Sequence, residues 1–379
     1  MSPSKQSCVS LRPSALHELG SILKQLNRRR VFFVVDEVAV ASSGMEELLR
    51  LSLQECDVSR FVGFEPNPKL HDIERGIDQY KGFSSDLIIA FGGGTAIDLG
   101  KLIGLLARQS NPARSVVTGE SMIECDATLM IAIPTTAGTG SEATHFAVAY
   151  VDGSKYSVAH PSLIPDFAIV DPHLTFSLPP AVTAATGLDA FSQAIESMWA
   201  VGATVESIAY AREAIDHAWK HLKQSVLSPT PESRLGMCQA SHLAGKAINI
   251  SKTTAPHALS YAITSEFMIP HGIAVAMTLG AVLDFNASVM PSDCVDPRGP
   301  EHVKNRIQMV VETLGAVSVQ DARQKIENLV SSIGCFRSLS EAGITREADL
   351  QLIASSVNSL RMSNNPRKTS TESLLQLLR

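Results

Sequence analysis

Cysteine is scarce and scattered: the six in this 379-residue chain stand at 8, 56, 125, 238, 294 and 335, with no CxxC pair and no close cluster. That spacing excludes a disulfide-stapled scaffold and a zinc ribbon, and fits free thiols in a reducing compartment. Aromatic residues are thin as well, at 5%, so stacked-base recognition of nucleic acid lacks its raw material. Neither sign of charge dominates. The 32 Lys and Arg against 38 Asp and Glu leave −6, with no basic or acidic tail, which removes the electrostatic footprint for nucleic acid or an anionic membrane surface. No apolar run reaches the roughly 20 residues that a bilayer-spanning helix needs, and the opening MSPSKQSCVSLRPSAL lacks the apolar stretch of a secretory signal. The expectation is a cytoplasmic protein with neither nucleic acid nor membrane as partner.

What is present is an ordinary globular composition, 45% hydrophobic, on a length that suits two domains. In the first half, short β-like runs alternate with helical patterns. VFFVV (31–35), SRFVGF (59–64), DLIIAF (86–91), TLMIAI (128–133), AVAYVD (147–152) and FAIVD (167–171) are apolar and mostly β-branched. Such runs suit strands buried on both faces of a mostly parallel sheet, with helices such as 96–108 as crossovers. A hairpin-like stretch near Asp152-Gly153 adds antiparallel character. After Leu178-Pro179-Pro180 the periodicity becomes helical, over 181–200, 204–226, 231–249, 253–266, 271–287, 301–315, 319–333 and beyond Thr371. The expected architecture is an α/β domain over 1–178 and an all-α domain over 179–379, with a ligand in the cleft between them and at the carboxyl ends of the strands.

Two loops in the first half have the chemistry of an anion site. In DLIIAFGGGTAIDLGK a buried strand ends, three glycines follow and a helix begins. Glycine lets backbone approach an anion, and the helix N-terminus offers unpaired N–H groups and a favourable dipole. The same residues also suit a plain tight turn. In IAIPTTAGTGSEAT (131–144), Thr135, Thr136, Gly138, Thr139 and Ser141 can donate to phosphate and ribose oxygens, or simply form a Ser/Thr-rich turn. Asp36, closing the first strand, can accept from a ribose 2′-hydroxyl or serve as a helix cap. Two such loops at strand ends of one sheet favour a dinucleotide, and Asp98 joins the cofactor-side candidates.

The second half holds another constellation. Asp189 and Gln193 are four apart and share one helix face. His257 and His271 stand fourteen residues apart, each beside a proline. A carboxylate with two imidazoles can hold a divalent metal, and each residue can equally be an ordinary structural group.

Taken together, GGGTAID, PTTAGTGSE, KYSVAHPSLIPDFAIVDP, ATGLDAFSQAIES, TTAPHALSY and IPHGIAV resemble the iron-containing (group III) alcohol dehydrogenase family, over nearly the whole chain and in order. The resemblance implies a Rossmann-like N-terminal domain and a helical C-terminal domain (a dehydroquinate synthase-like fold), with NAD(H) or NADP(H) bound. It places phosphate contacts on Gly93, Gly94, Thr95, Thr135 and Thr136, and a cofactor-side lysine at Lys155. It places metal ligands for Fe2+ or Zn2+ at Asp189, His257 and His271, with Gln193 where the family usually has a third histidine. Asp189, His257 and His271 are therefore the expected catalytic set, with Tyr261 as a possible proton relay. Within the family, KYSVAHPSL, NISKTTAPHALSY and RMSNNPRK resemble the reductases of phosphonoacetaldehyde, which form 2-hydroxyethylphosphonate. A phosphonate needs cationic and amide donors, and Lys252, Arg361, Asn364, Asn365 and Arg367 are of that kind. The family habit implies a homodimer. The alternatives are the same chemistry on another small aldehyde or alcohol, a non-redox NAD- and metal-dependent enzyme of the dehydroquinate synthase type, and a non-catalytic ligand-binding descendant.

Overall fold

A computed structural model describes residues 7–357 and 362–379. The chain forms two compact units, one of Met1–Thr136 with Gly140–Leu178 and one of Ala137–Thr139 with Pro179–Arg379.

In the first unit, strands β1 (Cys8–Leu11), β2 (Arg30–Val35), β3 (Asp57–Phe61), β4 (Leu87–Gly92), β5 (Met130–Pro134) and β8 (Phe167–Val170) pair, all in parallel, in the order β1-β8-β5-β4-β2-β3. The mostly parallel sheet expected from the apolar runs is what forms. Its reason is visible in β2. Successive side chains point to opposite faces of a strand, and here both faces are covered. Val31, Phe33 and Val35 pack with Leu16, Leu19 and Leu23 from the N-terminal helical turns. Phe32 and Val34 pack with Ile73 and Ile77 of α4 (Leu70–Phe83) and Leu99 and Leu102 of α5 (Gly94–Leu106). Numbering follows chain order, with α1 to α3 at Leu19–Leu26, Glu37–Ser43 and Glu46–Ser52, and α6 at Ala113–Thr118. The hairpin near Asp152-Gly153 is a separate two-stranded antiparallel sheet, β6 (Phe146–Val151) with β7 (Ser154–Ala159).

The second unit is helical apart from its loops: α7 (Pro180–Trp199), α8 (Val205–Leu227), α9 (Pro231–Ser251), α10 (Ala255–Phe267), α11 (His271–Ala287), α12 (Pro300–Thr313), α13 (Val319–Ser332), α14 (Glu347–Ser355) and α15 (Thr371–Leu378). Capping boxes at Thr204/Ser207 and Thr230/Ser233 set the starts of α8 and α9, where side-chain and backbone groups satisfy one another's free N–H donors. Helix α7 is buried from Gly187 to Trp199, so its polar residues must find partners inside the bundle. Among the described residues no helix is long and apolar enough to cross a membrane.

Candidate functional site

Asp189, Gln193 and Glu196 fall on α7 at i, i+4 and i+7, hence on one face. His257 lies in the first turn of α10, and His271 begins α11. Close packing of α11 on α7 brings His271 in. A Cβ on Gly272 would sit 1.9 Å from the Ala185 carbonyl oxygen and 2.9 Å from Asp189 Cβ, so only glycine admits this approach. The result is that ligand atoms of Asp189, His257 and His271 lie within 4.8 Å of one another. His257 Nε2 is 3.2 Å from Asp189 Oδ1, and the two imidazole rings meet edge to face with centroids 5.4 Å apart.

Hydrogen bonds fix which nitrogen of each ring faces inward. His257 Nδ1 bonds Glu196 Oε2, so Nε2 is the atom turned to Asp189. Ser260 Oγ donates to the His257 carbonyl at 2.8 Å and pairs with His271 Nδ1 at 3.3 Å, so Nδ1 is engaged on this side of the His271 ring. Tyr261 stacks on His271 with the rings 3° from parallel, a packing role that also holds the imidazole in place.

Glu196 is the residue that sequence reasoning missed. It is wholly buried, and a buried carboxylate is tolerated only if its lone pairs are met. Oε1 accepts from the Thr254 N–H and hydroxyl, both at 2.9 Å, and from the His257 N–H at 3.4 Å. Trp199 Nε1 in turn donates to Thr254 Oγ1 at 2.9 Å. Glu196 thus caps α10 from outside while orienting the imidazole that the helix carries. The signal was its place one further turn along the Asp189/Gln193 face.

The charges are tightly coupled. Burial opposes a charged His257, but the carboxylates of Glu196 and Asp189, both bonded to its ring, outweigh burial and push it up to about 9. Burial opposes a charged Asp189 too, and the bond from His257 with the nearby His271 holds its carboxyl below the ordinary value. Gln193 adds a side-chain hydrogen bond to Asp189, which its amide N–H must donate. Its Oε1 is left buried with no hydrogen-bond partner. Leaving such an acceptor unmet costs about 1–3 kcal/mol, and a cation shared with the neighbouring donors removes that cost. The donor set of one carboxylate, one amide oxygen and two imidazoles fits a divalent metal.

In the α/β unit, β4 ends at Gly92, whose φ of 153° and would-be Cβ, 2.7 Å from Ala96 Cβ and 2.9 Å from Asp36 Cβ, exclude any side chain. Gly93 caps α5, so the N–H groups of Gly94, Thr95 and Ala96 open the helix without helical partners. Thr136 lies beside Gly93, and Thr135 N donates to the Gly92 carbonyl at 3.0 Å, which sets the two loops side by side. Asp36 does cap α2, its Oδ1 accepting from Val38 N and Ala39 N at 3.0 and 3.1 Å, and these two bonds leave Oδ2 uncommitted. Thr95 Oγ1 accepts from Asn67 N at 3.1 Å. Asp98 and Ser141 brace each other: Asp98 Oδ1 accepts from Ser141 Oγ at 2.5 Å and Oδ2 from Val148 N at 2.9 Å. Burial raises the Asp98 pKa against the pull of Lys101 and Ser141. Both therefore brace the loop. Buried Lys101 does the same work, with Nζ on the carbonyls of Ser141, Thr144 and Phe146 at 2.5, 2.8 and 3.0 Å. Lys155 on β7 is partly buried and adds positive charge near Asp98. Thr139 groups with the helical unit.

The expected substrate donors separate. Lys252 ends α9, exposed. Arg361 lies outside the described residues. Asn365 is fully buried, exchanging bonds of 2.9 and 3.2 Å with Asn286 and donating at 2.9 Å to the Arg367 carbonyl, so it has nothing to offer a substrate. Arg367 is committed to Asp293 and the Phe285 carbonyl, and Asn364 to backbone.

Residues 8–172 match the family model of iron-containing alcohol dehydrogenase, and residues 183–379 match that of the Fe-containing alcohol dehydrogenase family, C-terminal. The chain is 32% identical to phosphonoacetaldehyde reductase of Streptomyces viridochromogenes, across 79% of this chain and 77% of that one. It is 28% identical to NAD-dependent methanol dehydrogenase of Bacillus methanolicus, across 96% and 95%. The crystal structure of sulfoacetaldehyde reductase from Bifidobacterium kashiwanohense in complex with NAD+ superposes with a TM-score of 0.89 at 27% identity, covering 99% of this chain and 96% of that one.

Proposed function

The chain belongs to the iron-containing alcohol dehydrogenase family, and we propose that it reduces phosphonoacetaldehyde to 2-hydroxyethylphosphonate, using a nicotinamide cofactor and a divalent ion. It is an oxidoreductase of small aldehydes and alcohols, and the reaction is RCHO + NAD(P)H + H+ to RCH2OH + NAD(P)+. The observation that carries the reading is the convergence of Asp189, His257 and His271 beside the stranded oxygen of Gln193.

Iron or zinc held by Asp189, Gln193, His257 and His271 supplies Lewis acidity to a carbonyl oxygen, and the nicotinamide supplies hydride. The residues around them have separate tasks. Glu196 and Ser260 engage Nδ1 of the two imidazoles, so that each ring would offer its Nε2 to the ion. The N–H groups of Gly94, Thr95 and Ala96 and the hydroxyl of Thr136 receive the pyrophosphate. The remaining oxygen of Asp36 accepts from a ribose 2′-hydroxyl and its charge repels a 2′-phosphate, which favours NAD over NADP. The α/β unit is accordingly the cofactor domain, and the helical unit the metal and substrate domain. With Asn364, Asn365 and Arg367 committed internally, Lys252 is the expected phosphonate donor that remains among the described residues.

The test is consumption of NADH and NADPH with phosphonoacetaldehyde, sulfoacetaldehyde and acetaldehyde in parallel. A kcat/KM highest for phosphonoacetaldehyde with NADH supports the proposal. A higher value for an uncharged aldehyde removes the phosphonate and leaves the reductase.

A further inference from the structure

Lys252 adopts φ 60° and ψ 178°. That region is essentially reserved to glycine, because a Cβ there is crowded by its own backbone, and a residue forced into it stores on the order of 1–3 kcal/mol. Other non-glycine residues at positive φ behave differently. Asn27, Ser84 and Met268 have ψ of 40°, 54° and 24°, in the milder left-handed helical region where helices commonly end. Among the helix caps of the described residues the other one that pairs positive φ with an extended ψ is a glycine, Gly299, at φ 90° and ψ 167°.

The surroundings hold it there. Lys252 N closes the last turn of α9 on the Ile248 carbonyl at 2.9 Å. Asn364 Nδ2 then donates to the carbonyls on either side, Ser251 and Thr253, both at 2.9 Å, while its Oδ1 accepts from Gly202 N at 2.9 Å. Beyond the turn, Thr254 is tied to Glu196. A clamp thus fixes the backbone on both flanks of one strained residue.

Glycine would make the same turn without that strain. The Lys252 side chain is exposed, and its ammonium forms no ion pair among the described residues. The strain is therefore offset by something outside the chain, and an ammonium calls for an anion. Placement agrees. Lys252 is two residues from Thr254, at most ~7 Å of chain, and Thr254 shares the Glu196 carboxylate with His257.

We propose that Lys252 is the specificity-determining cation of this enzyme, its backbone locked by Asn364 so that the ammonium meets the tetrahedral anionic head group of an aldehyde substrate. This rests on the proposed reduction of an anionic aldehyde. Lysine is a compact point charge and suits a head group with three equivalent oxygens.

The experiment uses K252G and K252M in the full-length, metal-loaded enzyme, with thermal unfolding and kcat/KM for phosphonoacetaldehyde, sulfoacetaldehyde and acetaldehyde. K252G removes strain and charge, K252M the charge alone. K252G raises Tm by about 2–4 °C, and K252M does not. Both lower the ratio of kcat/KM for the anionic aldehyde over acetaldehyde by roughly 10–100-fold, the size of one charge-assisted contact. A K252G enzyme that gains stability yet keeps its preference overturns the inference and makes Lys252 a plain helix stop. A wild-type enzyme with no preference for either anionic aldehyde overturns the substrate reading, and the inference with it. A preference for sulfonate that both variants lose supports the inference while displacing the phosphonate.

Discussion

Replacing Glu196 by glutamine changes one oxygen to NH2 in a wholly buried position, so shape is kept and only hydrogen-bond polarity is altered. Oε1 receives two 2.9 Å bonds from Thr254, against one at Oε2 from His257, so the amide oxygen stays with Thr254 and the NH2 faces His257 Nδ1. The ring then accepts at Nδ1 and carries its hydrogen on Nε2, the nitrogen turned towards Asp189. Restoring the Nε2 lone pair sets two donors face to face and forfeits a charge-assisted bond worth about 1.5–3 kcal/mol. Metal affinity in E196Q should therefore fall roughly 10–100-fold, or about 1.4–2.7 kcal/mol. Competition against a calibrated chelator gives the dissociation constant, and the visible absorption of the Co2+ form reports whether the ligand field has changed. An affinity within twofold of wild type, with an unaltered Co2+ spectrum, would refute the argument that Glu196 sets the His257 tautomer.

The other predictions are independent of that one. Q193H replaces a stranded amide oxygen by imidazole and should tighten Zn2+ binding in the same chelator assay without loss of fold; an unchanged affinity means that Gln193 is not a donor. In the metal-free protein, His257 is raised from 6.5 to about 9, so its contribution is complete below 6.5 and disappears as pH rises through 9. Urea unfolding of that form should lose on the order of 3 kcal/mol between pH 6 and 10 from this group, and a flat or rising profile over that range would contradict the Asp189–His257–Glu196 coupling. G272A sets a methyl 1.9 Å from the Ala185 oxygen and should cost about 3 kcal/mol or more in unfolding free energy while weakening metal binding; a stable variant with normal affinity shows that the α7–α11 approach is not required.

The α/β class was legible because its central strands are apolar without interruption, which is the pattern of strands covered on both faces. Strand β1 escaped notice because CVSL is short and its outer residues are exposed at the sheet edge. The run 59–64 extends past the end of β3 at Phe61, where Gly63 turns the chain with φ 67°. At the site, Asp189, His257 and His271 stand out by residue type and local motif, and the fold brings them together. Glu196 did not, since an acidic residue in an amphipathic run reads as solvent-facing until its helix proves buried all round. The RMSNNPRK segment misled in the opposite sense. Its donors look available in sequence, yet Asn364, Asn365 and Arg367 bond within the protein, and no spacing rule reveals which donors the fold consumes.

The most direct test of the account is NADH oxidation by the purified enzyme with phosphonoacetaldehyde, measured as isolated, after removal of metal by chelation, and after stoichiometric return of Fe2+ or Zn2+. The Asp189–Gln193–His257–His271 centre predicts that turnover is lost on chelation and restored by one divalent ion. Turnover indifferent to the chelator would contradict the central claim that these residues hold the group that polarises the carbonyl.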